Sequence, residues 1–239
     1  IHLNSMIEGG SSNQTTGHVD FKSSFYFQTP IWTAEAPMFL KNSIKVTDKY
    51  IKKADKILKD KLKNEPKWKK DIGTFGLSKH SESFSNDPKI GDLVKFIGQR
   101  SYEFLDWSGF NLKDHSLHFT EFWVQEFSEK GGGHHDTHVH WNQHVSGFYF
   151  LKCSDKTSYP IFHDPRPGAE MTKLFIKDPS KITMASNQIH YKPKPGTMII
   201  FPGYVPHQFA VDAGLDPFRF IHFNIKAVET AISKEKSIR

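Results

Sequence analysis

The stretch "LHFTEFWVQEF", residues 117–127, reads as a β-strand. Aromatic and β-branched residues dominate it, and side-chain character changes with a period of two. From here to the C-terminus the same reading repeats. "VSGFYFLK" (145–152), "TKLFIK" (172–177), "GTMIIFP" (196–202), "HQFAV" (207–211) and "FRFIHFNIK" (218–226) are strand-like, with Gly, Pro, Asn and Asp between them. Many short strands with turn signals and no helical pattern between them predict an antiparallel sandwich or barrel. Upstream of residue 115 the period is 3.6. In "TDKYIKKADKILKDKLKNEP" (47–66), Ile51, Ala54, Leu58 and Leu62 share one face. Thr47 or Asp48 is the expected cap and Pro66 the stop, which gives a helix over about 47–65. A second helix is expected over about 87–108, with Asp87 as N-cap, Pro88 in its first position and Gly109 as its stop. "FYFQTPIWTAEA" (25–36) is an expected early strand.

The chain has 239 residues, enough for one sizeable core, and 21 of them are Phe. Residues 1–18 are polar, lack the pattern of a signal peptide and are expected to be flexible; 19–230 form the expected single domain. With Cys153 the only cysteine, no internal disulfide can form, and an intracellular place is expected. No apolar run is long enough for a membrane helix. The formal charge of +6 is uneven: residues 41–70 carry twelve Lys and four acids. That stripe could meet nucleic acid or an acidic partner. It has no Arg and no interleaved stacking aromatics, so a solvated helix face is the plainer reading.

"HHDTHVHWNQHVSG" (134–147) packs five of the 14 histidines into eleven positions. Residues two apart on a strand face the same way, so His138 and His140 project together. One more ligand from another strand would complete a clamp for a divalent metal, and imidazole suits Fe, Zn, Cu and Ni. His207, after the Pro-rich turn in "FPGYVPHQF", is the best distant candidate. Twelve positions on stands Arg219, a residue type that grips carboxylates with a bidentate fork.

These elements together resemble the iron(II)- and 2-oxoglutarate-dependent oxygenases. "HVHWNQHVSGFYFL" (138–151) is similar to an H-x-H-P-[NH]-S-x-x-S-G-x-Y-Y-like segment of a narrower group within them. "FQTPIW" (27–32), "FWVQEFSEKGGGHH" (122–135), "FHDPR" (162–166), "PKPGTMIIFPGYVPH" (193–207) and "FRFIHFNI" (218–225) follow in the group's order. The likeness spans about residues 20–226. It implies a double-stranded β-helix, a jelly roll like that of the cupins, over about 115–226, preceded by the two helices. It further implies Fe(II) and 2-oxoglutarate, and hydroxylation of a small-molecule or peptide substrate with release of succinate and CO2.

Two ligand registers remain open within the resemblance. His134 and Asp136 spell the superfamily's His-x-Asp, whereas His138 and His140 keep the spacing to "GFYF". The second is favoured, because Gly131–Gly133 suggest that 134–136 are still loop. The set His138, His140 and His207 contains no carboxylate, so Asp164 or Asp136 is an alternative ligand. Asp164 also reads as a turn residue before Pro165. Arg219 is the expected anchor of the cosubstrate's far carboxylate, with Gln125 and Tyr149 as further contacts; Ile221 stands where a Ser is common in the superfamily. Two rival readings persist: a cupin-like metalloenzyme that does not use 2-oxoglutarate, and a non-catalytic binding module on the same barrel.

Overall fold

The computed structural model describes residues 22–64, 78–172 and 174–230. The expectations for residues 1–18 and for Pro66 as a helix stop lie outside them. A short strand β1 (Trp32–Glu35) leads through a 3₁₀ turn at Pro37–Phe39 into helix α1 (Leu40–Asn64). Strand β2 (Ser78–His80), a 3₁₀ turn at Pro88–Ile90 and helix α2 (Gly91–Trp107) follow. The rest is β3 (His115–Phe127), β4 (His135–His138), β5 (Val145–Lys152), β6 (Pro160–His163), the short helix α3 (Pro167–Met171), β7 (Gln188–His190), β8 (Thr197–Pro202), β9 (His207–Phe209) and β10 (Arg219–Glu229).

All ladders are antiparallel. One sheet has the order β1-β8-β5-β10-β3-β2 and the other β4-β9-β6-β7. The larger sheet is covered on its outer face by α1 and α2. Val46, Ile51, Leu93 and Ile97 of the helices pack there on Val124, Leu151, Ile221 and Phe223. The inner face carries the opposite parity of the same strands. Phe148, Phe150, Phe201 and Phe220 of this sheet meet Phe162 and Phe209 of the other in a second core between the sheets. β5 therefore has both faces buried, and at Gly147 an added Cβ would collide with the Phe223 ring and the Ile199 carbonyl.

The helices differ from expectation at their starts. α1 begins at Leu40, seven residues before the expected cap. Thr47 is buried within the helix, where its hydroxyl donates to the Ile44 carbonyl, and Asp48 bonds a side chain of the sheet instead of capping. Asp87 does cap, accepting from Lys89 N at 3.0 Å, and Gly109 ends α2's exit turn at φ +92°. The described residues of "TKLFIK" form no strand; Leu174 and Phe175 are exposed. Among the described residues no helix is long and apolar enough to cross a membrane.

Candidate metal centre

The ends of β4 and β9 build the centre. His138 closes β4 opposite His207, the first residue of β9. Between the pairs His135–Phe209 and His138–His207 β4 spends one residue more than β9, and this bulge turns the following backbone inward. His140 thus lies beyond the strand, in the turn, with its N–H on the Gly203 carbonyl at 2.9 Å. The expectation that 134–136 are loop holds for His134 and is corrected for 135–136, since β4 runs His135–His138.

The bulge brings His138, His140 and His207 together, one ring nitrogen of each within 4.8 Å of the others. The structure also indicates which nitrogen is available. His138 Nδ1 lies 2.7 Å from the Asp136 carbonyl and His207 Nδ1 lies 2.9 Å from the Val205 carbonyl. A carbonyl can only accept, so both Nδ1 atoms carry the proton and both Nε2 atoms carry a lone pair. Metal-binding imidazoles are held in this way. His140 Nε2 lies 3.2 Å from His207 Nε2. Burial, helped by neighbouring imidazoles, depresses His140 to about 2 and His207 to about 3. Both are neutral at pH 7 and ready to ligate. The three residues fit a divalent metal that prefers nitrogen donors.

Neither expected carboxylate joins them. The Asp136 side chain is 97% exposed and faces His134. Asp164 is gripped by Arg166, through Nε at 3.0 Å and Nη2 at 2.7 Å, and also accepts Arg166 N. Asp164 sits in the turn before Pro165, bonded to Arg166 and apart from the three histidines. The carboxylate that does group with the histidines is Glu121 of β3, beside His140 and His222 of β10.

Arg219 is not brought to the centre either. It shares a face with Ile221 and Phe223, toward α1. Its Nε donates to Glu126 Oε2 at 2.7 Å, and Nη1 donates to Asp48 Oδ1 at 2.6 Å. Among the described residues it is the only buried Arg or Lys. It cannot reach a cosubstrate on the inner face without breaking these pairs and passing through the sheet. Tyr149 has the same parity; its hydroxyl donates to the Ala36 carbonyl at 2.7 Å within the helix-side core. Gln125 is on the inner side, where its Oε1 lies 2.7 Å from His135 Nε2. Glu121, His135, His222 and Asn224 were missed by sequence reasoning. The available signal was strand parity: Glu121–Trp123–Gln125 on β3 and Phe220–His222–Asn224 on β10 alternate onto one face, with Trp123 opposite His222 and Glu121 opposite Asn224.

A cleft of about 710 Å³ opens between residues 24–31 and the ends of β6 and β7. Phe25, Tyr26, Phe162, Arg166, Met184 and Val205 are among its lining residues. Phe162 pairs with His207 across β6 and β9, so the cleft wall and the metal centre share a strand pair.

Two antiparallel sheets closed over an aromatic core, with imidazoles converging from the ends of two strands, define a double-stranded β-helix. Residues 121–223, from Glu121 in β3 to Phe223 in β10, match the family described as "Putative 2OG-Fe(II) oxygenase". Among solved structures, the epimerase SnoN in complex with Fe³⁺, alpha-ketoglutarate and nogalamycin RO aligns with a TM-score of 0.51 at 7% identity, over 84% of this chain and 81% of that one. A prolyl-4-hydroxylase of Pseudomonas putida aligns at 0.46 and 12% identity, over 83% and 93%. A 2OG-Fe(II) oxygenase family oxidoreductase of Burkholderia pseudomallei aligns at 0.40 and 12% identity over 59% of each chain, so this chain spans about three fifths of that relative. No curated protein sequence matches.

Proposed function

We propose that the protein is a non-haem Fe(II), 2-oxoglutarate-dependent oxygenase that hydroxylates a small molecule or peptide, with His138, His140 and His207 as the metal ligands. The observation that carries this reading is the pair of Nε2 lone pairs on His138 and His207, each fixed by a backbone carbonyl on the opposite ring nitrogen. Iron and 2-oxoglutarate supply oxidative chemistry: one atom of O2 enters the substrate C–H bond, the other enters succinate, and CO2 leaves.

The chain's own part is to hold and to shield. His138, His140 and His207 would hold the ion through three imidazoles and leave it open to cosubstrate and oxygen. Phe148, Phe201 and Phe209 pack behind His207 and exclude water from that side. The cleft beside β6 is the proposed substrate approach, with Arg166 and Asn187 among its polar groups and Phe25 and Tyr26 on its apolar wall. An intracellular place belongs to the same proposal and rests on the single, unpaired Cys153.

The turned-away Arg219 favours one alternative, a cupin-like metalloenzyme that does without 2-oxoglutarate. Anaerobic addition of Fe(II) and then 2-oxoglutarate separates the two. The oxygenase reading expects a weak visible charge-transfer band that needs both additions. Bound iron without any such band would reject that reading in favour of the cupin-like one.

A further inference from the structure

Beside the three-histidine set lies a second group of electron-pair donors, of which the proposed chemistry uses only His140. Glu121, His140 and His222 each place a ligand atom within 4.8 Å of the others. His222 is 1% exposed, and neither of its ring nitrogens has a hydrogen-bond partner; Nε2 lies 3.5 Å from Glu121 Oε2. Asn224 Oδ1 is likewise buried without a partner. The Asn224 amide nitrogen lies 2.8 Å from Glu121 Oε2 and 2.9 Å from His140 Nδ1. Orphaned polar atoms in a protein interior are costly and uncommon, and here they cluster around one carboxylate.

What this cluster lacks is positive charge. No buried Lys or Arg of the described residues faces it, because Arg219 is committed on the other side of the sheet. The His140 ring stands between the two groups. Its Nε2 is beside His207 and its Nδ1 is beside Asn224, on the Glu121 side. The oxygen and nitrogen of an amide are nearly equal in size, so turning the Asn224 amide over would aim the orphaned Oδ1 at the same point.

We infer that Glu121, His222, the Nδ1 edge of His140 and Asn224 Oδ1 form a second divalent-cation site that shares the His140 ring with the first. The inference rests on the proposed function only for the first ion. Two imidazole nitrogens with one carboxylate and one amide oxygen suit Mn²⁺, Fe²⁺ or Zn²⁺ better than Ca²⁺ or Mg²⁺. The Glu121 side chain is 48% exposed, which gives the ion a path from solvent. Occupancy of both sites uses both nitrogens of His140, so the second ion displaces that ring's remaining proton to solvent.

The test is metal stoichiometry on the full chain, stripped with a chelator, loaded with Zn²⁺ or Mn²⁺, desalted and assayed by elemental analysis. Wild type is expected to retain one ion more per chain than Glu121→Gln, and His222→Asn should lose the same ion. Circular dichroism checks that both variants fold, and the partly exposed Glu121 is the safer of the two. Equal ion content in wild type and a folded Glu121→Gln overturns the second site. If the 2-oxoglutarate band forms while the contents are equal, only this inference falls. If the band is absent while Glu121→Gln loses one ion, only the oxygenase reading falls.

Discussion

His134 and His138 differ by four positions and in what the backbone makes of them. His134 Nδ1 bonds the Gly132 carbonyl at 2.9 Å, and its other ring edge faces the exposed Asp136. His138 has an equivalent carbonyl tether, but the β4 bulge swings its Nε2 into the company of His140 and His207. The two registers left open by the sequence are therefore separable by single substitutions. Removing a partner that only orients a ligand already costs a metal site about 10–100-fold in affinity, and removing the ligand itself costs more. His138→Ala should weaken Fe(II) or Zn²⁺ binding by at least about 100-fold, whereas His134→Ala should leave it unchanged. Competition against a chromophoric chelator reads both; a large loss in the His134 variant alone would return the ligand pair to 134 and 136.

At the scale of elements, Arg219 ties β10 to α1 and β3. Glu126, 11% exposed, receives two nitrogens of its guanidinium, and Asp48 of α1 receives a third. Arg219→Ala would leave Glu126 buried with only the more distant Lys79 and Lys152, at 3.4 Å and 3.8 Å. Breaking a buried pair costs about 3–5 kcal/mol, and the lower end applies because these lysines remain. The expected result is a large fall in Tm, with 2-oxoglutarate affinity at low temperature unchanged. A steep rise in the cosubstrate requirement with Tm preserved would restore Arg219 to the inner face. The same residue shows why the fold was more legible than the site. Period-two runs located β3, β5, β8, β9 and β10 because each has a buried face to declare. β7 has three residues, mostly exposed, and declares nothing. The start of α1 was hidden because Thr47 and Asp48 resemble a cap by residue type, and only the tertiary partner Arg219 explains their place inside a helix. The three histidines were legible from motif and order. The facing of Arg219, Tyr149, Glu121 and His222 depends on register across β3, β5 and β10, which one strand alone does not reveal. Gly147 makes the register testable: Gly147→Ala forces a side chain into Phe223 and the Ile199 carbonyl, and soluble folded yield should collapse.

For the whole molecule, the buried imidazoles set how stability follows pH. His135 and His207 are depressed to about 3 and His140 to about 2, in each case chiefly by burial. In the unfolded chain each titrates near the ordinary 6.5. Above about pH 7.5 the folded and unfolded states hold equal protons at these sites and the contribution to slope is zero. As pH falls through 6.5 the unfolded chain takes up protons that the folded barrel refuses, so stability drops. The drop continues until the folded values near 3 are reached. Each histidine adds at most ~1.4 kcal/mol per pH unit, reduced for the partial exposure of His135 and His140. The lowered carboxylates Asp87 and Asp164 act only at lower pH, since a depressed acid loses its stabilising effect as pH falls through the ordinary carboxylate range. The interval from pH 6.5 to 5.5 therefore reports the histidines. Calorimetry across it on chelator-treated protein should show Tm falling steadily, and His207→Phe should make the fall shallower. A bound divalent ion, which needs the neutral rings and binds only the folded state, should raise Tm at pH 7.5 and lose that increment over the same interval. A Tm that is flat between pH 7 and 5.5, with and without metal, would mean that these rings are not held neutral inside the barrel, and the three-imidazole centre would fall with them.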